Sequence, residues 1–343
     1  MLSEPPGTQE KYLKSDGTYE LEKRLSDLEA ESPDPLALRF GSFLCAGGSV
    51  CLGAAESATI KMMALQVRPS PLAGRWYDAD PELLARKVDD YLNSAQLPDL
   101  EGEVIAVIAP HAGITYSGPV AGYAFAAIRG RSPDLVAVIG PMHQPYQEPL
   151  ITTAYDAYAT PLGEVPVDKD VLRELDQILK SELGFGLSPV QRDPEHSLEI
   201  ELPFLQRALS STWKLLPVMD RAREPRVSQR LGKALAQVLR GKNFILVAST
   251  DLSHFYNQET ALAYDRAMLN AIESFSPAEA FDLERAGKAF ACGLGAFTTV
   301  MWAARELGAD KVKVLRHATS GTVTGDYSSV VGYGAAVILK SSG

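Results

Sequence analysis

The sequence predicts an α/β protein, a single domain with a central, largely parallel β-sheet flanked by helices. Three observations carry that expectation. Runs rich in Val and Ile, among them "EVIAVIAP", "DLVAVIGP" and "NFILVAST", are apolar throughout instead of alternating, the mark of strands covered on both faces. Stretches with helical periodicity separate several of these runs. The chain has 343 residues, 46% hydrophobic and 22% charged, an ordinary globular composition long enough to bury such a sheet.

Taken in chain order, residues 1–65 stand apart. "SEPPGTQEKYLKSDGTYELEKRLSDLEAESPDPL" mixes charge, Pro and Gly with few large apolar residues and reads as a disordered N-terminal extension. Met62 and Met63 precede the folded pattern and offer an alternative start for the native chain. The run "FGSFLCAGGSVCLGAA" (residues 40–55) falls short of the roughly 20 apolar residues of a spanning helix. Mostly polar residues precede it, which does not suit a signal peptide.

Residues 66–343 form the predicted α/β domain. "EVIAVIAP" and "DLVAVIGP" open it as strands. In "DKDVLRELDQILKS" (residues 168–181), Val171, Leu175, Ile178 and Leu179 recur at helical spacing and define one apolar face. "WKLLPVM" and "NFILVAST" are two more strands. "SPAEAF" carries a capping box, with Ser276 as N-cap, Pro277 at the first helical position and Glu279 after it. "GAFTTVMWAARELG" reads as a helix closed by Gly308, and "KVKVLRHATS" and "SVVGYGAAVIL" as the last strands.

The charge balance limits the partners. A net charge of −10 and a pI near 5.1 argue against nucleic acid and anionic membrane, which both call for a basic face. Three cysteines, Cys45, Cys51 and Cys292, are too few for a disulfide framework and favour a reducing compartment. The expectation is a soluble, cytoplasmic protein.

Chemistry concentrates at the strand ends, where ligand sites of parallel sheets gather. Of five histidines, His111, His143, His254 and His317 lie at or just past the end of a predicted strand, and His196 begins a helix in "DPEHSLEIELPF". A single histidine is more often structural than functional, but the fold would bring these together. Imidazole suits both metal binding and proton transfer near neutral pH.

Cys292, in "FACGLGAF", sits at a helix start, which favours a thiolate for metal or redox work. A small buried packing residue is the alternative. No Cys-x-x-Cys or His-Glu-x-x-His occurs, so a metal site has to be assembled from distant segments. In "STDLSHF", Asp251 either orients His254 or lines a polar pocket with it. Ser249 and Ser253 lack the Gly-x-Ser-x-Gly elbow of a hydrolase nucleophile. No phosphate-binding glycine motif follows a strand, so no nucleotide cofactor is expected.

In order along the chain come "GRWYDAD", "VIAPHAGITYSGP", "VIGPMHQPY", "TPLGEVPVD", "DPEHSLEIELPFLQ", "VASTDLSHF", "ACGLGAF" and "VVGYGAAV". Together they resemble the Memo family, whose bacterial and archaeal members are called AmmeMemoRadiSam system protein B, over about residues 68–340. The resemblance implies a fold similar to that of class III extradiol dioxygenases, which hold iron with two histidines and a carboxylate. By motif it implies His111, His143 and Cys292 as metal ligands, the cysteine replacing the carboxylate. It further implies His254, Asp251 and His196 as catalytic residues of the same pocket, with Trp76 and Tyr116 as pocket aromatics.

Two features depart from the family pattern. Many relatives carry "GPSHH", whereas Met142 and Gln144 flank His143 here. His317 matches no family ligand and is expected to be structural or at the pocket rim. Two imidazoles and a thiolate favour iron or copper, with zinc able to compete. The resemblance thus implies a metal-dependent redox or dioxygenase-like enzyme acting on a small organic substrate. A non-catalytic metal-binding or peptide-binding protein working with AMMECR-type and radical-SAM proteins is the alternative, and a zinc hydrolase with His254 as base is a weaker third.

Overall fold

A computed structural model describes residues 65–341. Residues 1–64, with Cys45, Cys51, the apolar run 40–55, Met62, Met63 and nearly all of the predicted extension, lie outside the described residues. The described chain opens with β1 (Val67–Arg68), α1 (Pro81–Ser94), β2 (Glu103–Ala109), α2 (Ile114–Ala126) and β3 (Leu135–Pro141). β4 (Leu150–Thr153), β5 (Ala157–Thr160), β6 (Gly163–Pro166), α3 (Lys169–Leu183) and β7 (Ser188–Val190) follow. A 3-10 turn, Glu199–Glu201, leads into α4 (Leu202–Ala208), β8 (Lys214–Asp220), α5 (Pro225–Leu239), β9 (Phe244–Ser249) and β10 (His254–Tyr256). Last come α6 (Gln258–Glu273), α7 (Pro277–Arg285), α8 (Leu294–Glu306), β11 (Lys311–Thr319), α9 (Gly321–Thr324) and β12 (Val330–Lys340).

Among the described residues the main sheet has nine strands, in the order β10-β12-β2-β9-β3-β8-β4-β7, with β11 paired to β12. Its centre is parallel, as expected: β2, β9, β3 and β8 all run the same way. The flanks make the sheet mixed, because β12 joins β2 antiparallel and β4 joins β8 antiparallel. A separate small sheet, β1-β5-β6, stands beside it.

Helices cover both faces, which accounts for the unbroken apolar runs. Ile108, Ile139, Leu216 and Leu246 pack on one side with Leu175, Leu231, Phe297 and Val300. Val107, Val138, Leu215 and Val247 face the other way, onto Val88, Phe125 and Phe204. Burying one such large side chain contributes roughly 1.5–3 kcal/mol. On the second face α1 and α2 approach closely at Gly122, where a Cβ would lie 2.6 Å from Tyr91 O.

Local signals act as the sequence suggests. Asp168 caps α3 by accepting from Asp170 N and Val171 N. The buried face of α3 is Val171, Leu172, Leu175 and Leu179, with Ile178 only partly buried. Ser276 Oγ accepts from Glu279 N at 3.4 Å and starts α7. No described helix is long and apolar enough to cross a membrane.

Candidate metal centre

β9 lies between β2 and β3 and runs parallel to both, with Ala109 beside Ser249 and Ile139 beside Ala248. The loops leaving these strands therefore emerge side by side. They carry His111 after β2, His143 after β3, and Asp251 and His254 after β9. The remaining parts arrive from elsewhere: His196 on the segment ahead of the 3-10 turn, and Cys292 just before α8.

One ring nitrogen from each of His111, His143 and His196 lies within 4.8 Å of the others, so the three could hold a metal ion. The His143 and His196 rings stack at 4.5 Å, and His111 meets both nearly edge-on at 5.3 Å. Cys292 Sγ is 3.1 Å from His111 Nε2 and accepts from Asp251 N at 3.1 Å. Trp76 packs on His196 at 4.3 Å, and Tyr116, 46% exposed, stands on the first turn of α2.

The outer nitrogens of two rings are already committed. Ser249 Oγ lies 2.6 Å from Ser197 O and 2.7 Å from Glu201 Oε1, so its proton goes to one of these and it accepts from His111 Nδ1 at 2.8 Å. His143 Nδ1 donates to Glu195 Oε1 at 2.9 Å. Both arrangements commit Nδ1 to an outer partner and leave Nε2 as the nitrogen through which the ring, once that atom is unprotonated, can ligate a metal. His254 follows the same rule, donating from Nδ1 to Leu252 O at 2.9 Å.

The electrostatics fit a cation. Burial works against a charge on His143, yet hydrogen bonds to Cys292 and Glu195 push its pKa up to about 10. Burial would raise Glu195, but His143 and Ser197 N hold it down at about 2. Burial, with the nearby imidazoles, keeps His111 well below its usual range. His196 and His254 are both lowered to about 4, again by burial first. The cluster thus takes up one positive charge, at His143, and leaves the other imidazoles neutral. An iron, copper or zinc ion would have to displace that proton from His143, and would then meet two imidazole nitrogens and the Cys292 sulfur.

Asp251 does not orient His254. Its Oδ1 accepts from His111 N at 2.8 Å, and burial raises its pKa to about 7. Ser249 and Ser253 are fully buried, which does not suit a nucleophile, and Ser249 serves His111 instead. His317, within β11, donates from Nε2 to Asp265 Oδ2 at 2.8 Å and is not among the three clustered histidines.

Sequence reasoning missed Glu195, Glu201 and Arg68. Glu195 sits beside His196 in the quoted "DPEHSLEIELPF", but its partner His143 is 52 residues away, and nothing local announces that pairing. Arg68 is 1% exposed and anchors the same segment, donating from Nη2 to Asp193 O at 3.0 Å and Glu195 O at 2.9 Å.

A parallel-centred α/β sheet that gathers imidazoles, a thiol and a carboxyl group past its strand ends is the framework of a protein with a histidine cluster that could hold a metal ion. Comparison with known proteins names the group: the model of the Memo-like protein family matches residues 68–337, and the chain belongs to that family. It is similar to the MEMO1 family protein of Nitrosopumilus maritimus, 33% identical over 274 residues, covering 78% of this chain and 98% of the relative. Similar, too, is that of Methanococcoides burtonii, 33% identical over 276 residues, covering 80% of this chain and 100% of the relative. That of Sulfolobus acidocaldarius is 31% identical over 281 residues, covering 78% and 97% respectively.

Proposed function

We propose that the protein binds iron or copper through His111, His143 and Cys292 and uses the centre for redox chemistry on a small organic substrate. The observation that supports this most is the commitment of the His111 and His143 Nδ1 atoms to Ser249 and Glu195, which leaves two Nε2 donors beside the Cys292 thiol. The metal would supply a Lewis-acidic, redox-active position with room for a further ligand. His196, stacked on His143, lies close enough to join the donor set or to border it. Zinc can compete for the same donors.

The chain's own residues have separable tasks in this reading. Ser249 and Glu195 orient the ligating rings. Asp251 holds the His111 backbone and, with its pKa near 7, can take or give a proton around neutral pH. His254 stays neutral, with Nε2 free to accept a proton from a bound group. Trp76 keeps one side of the cluster apolar. Metal analysis of anaerobically purified protein tests the ligand set: near-stoichiometric iron or copper is expected, and its loss in His143→Ala and Cys292→Ser. Unchanged metal in both variants overturns it.

A second reading, a non-catalytic binding protein, draws on the exposure of Tyr116 (46%) and Phe255 (53%), the latter beside His254. AMMECR-type and radical-SAM proteins are its proposed partners. Oxygen uptake abolished by His254→Ala, with no complex formed in a pull-down against those proteins, decides for the enzyme.

A further inference from the structure

Arg223 lies just past the end of β8, outside every motif quoted for the site, and is bound to the loop that carries Cys292. Its Nη1 donates to Cys292 O at 3.1 Å and its Nη2 to Ala291 O at 3.2 Å. The same Nη2 pairs with Glu284 of α7. The guanidinium lies 5.4 Å from the centre of the Phe290 ring, and that ring meets His254 edge-on at 5.6 Å. One side chain therefore touches both peptide carbonyls around the thiol and the aromatic ring against the proposed base.

Arg223 is held in place at a cost. Its φ is +44°, a left-handed conformation that non-glycine residues avoid, and such strain persists where surrounding structure enforces it. Asp220, the last residue of β8, helps to enforce it by accepting from Ala222 N at 2.7 Å. The other backbone ties of the loop it grips run to one segment, Thr250 and Asp251. Gly293, the N-cap of α8, offers no side-chain cap, and the neighbouring bonds are Gly293 N to Thr250 Oγ1 at 3.0 Å and Cys292 N to Asp251 O at 3.2 Å. Those two, with Asp251 N donating to Cys292 Sγ at 3.1 Å, tie the loop to the segment after β9, and Arg223 ties it to the segment after β8 and to α7. A planar guanidinium fork suits two adjacent carbonyls in a way an ammonium does not.

We infer that Arg223 is a positioning residue for the thiol ligand: with Glu284 it clamps the 290–293 loop so that Cys292 Sγ faces the histidine cluster. This rests on the reading of Cys292 as a ligand. Cobalt(II) is the probe, because a cobalt–thiolate bond gives a near-ultraviolet charge-transfer band that histidine ligands alone do not. Arg223→Met, which keeps the apolar stem, is expected to weaken cobalt binding about 10-fold and to lower that band, while the visible bands of histidine-held cobalt persist. Arg223→Lys, able to reach one carbonyl, should recover part of both, and Glu284→Gln should fall between it and wild type.

Unchanged affinity and band in a folded Arg223→Met protein overturn the inference. If Arg223→Met does not fold, Arg223→Lys and Glu284→Gln decide in its place, and wild-type spectra in both overturn it. Wild-type protein that binds cobalt without a thiolate band removes Cys292 from the ligands and fails the underlying reading itself. A wild-type band with indifferent variants fails the Arg223 inference alone.

Discussion

Arg68 and His111 are equally buried, at 1% exposure each, yet the polar groups around them are settled in opposite ways. Arg68 faces two acids: it pairs with Asp193 at 3.0 Å and with Glu199, which also accepts from Tyr77 Oη at 2.6 Å. Burial by itself would lower the Arg68 pKa, but Tyr158, Asp193 and Glu199 raise it, so its charge is locked in. Around His111 the charges are not matched. Burial lifts Glu201 well above the usual carboxylate range and leaves its Oε2 without a partner, and Asp251 is lifted to about 7. The first cluster is complete as it stands. The second is poised to gain or lose charge, as expected of a ligand site.

The comparison is broken most directly by Arg68→Met. Leaving Asp193 and Glu199 buried and unpaired should cost about 3–5 kcal/mol, measured by urea unfolding of metal-free protein. Glu201→Gln, in the other cluster, should stay within about 1 kcal/mol of wild type, because burial already favours the uncharged form of the group it replaces. Equal losses in the two variants refute the contrast.

Next in size is Glu195→Gln, which weakens the orientation of His143. Metal affinity should fall roughly 10–100-fold by competition titration, with a smaller change in the stability of metal-free protein. A loss of stability with no loss of affinity would move Glu195 into the structural cluster.

The pH dependence sharpens the contrast. The Asp251 pKa moves from 3.8 to about 7 on folding, so between those values the native state holds a proton that the unfolded chain has released. Its contribution to stability is therefore present in acid and lost as pH rises towards 7. His196 and His254, lowered from 6.5 to about 4, act in the opposite sense over about pH 4 to 6.5. The Asp251→Asn variant isolates the carboxyl term. Relative to wild type, its metal-free unfolding free energy should slope more upward between pH 4.5 and 6.5, and parallel slopes would count against the raised pKa. The smallest effect is a control remote from both clusters: Ser276→Ala should cost about 1 kcal/mol by removing the N-cap of α7, with metal affinity unchanged.

The fold was legible because its signals are local. Continuous apolar runs such as 104–109 and 135–139 have to be covered on two sides, and helices α3 and α7 carry their own caps at Asp168 and Ser276. Strand order was not legible, since β9 inserts between β2 and β3 from more than a hundred residues downstream. The histidines at the strand ends were visible as candidates for the same reason as the strands. What stayed hidden depended on pairings across the sheet: Glu195 with His143, Ser249 with His111, and Asp251 turned to the His111 backbone instead of to His254. The mixed character of the sheet was hidden too, because apolar runs at its flanks look the same in either direction.

The contact between Cys292 and His111 joins residues 181 positions apart. An ion held by both would act as a reversible cross-link around a very long loop. The unfolded chain would have to close that loop, at an entropy cost growing with the logarithm of its length, before it could offer both donors. It is therefore a poor competitor for the ion. Each tenfold excess of free ion over its dissociation constant then adds about 1.4 kcal/mol to the native state. Occupancy of the centre can accordingly be read as a rise in melting temperature, before any reaction is known.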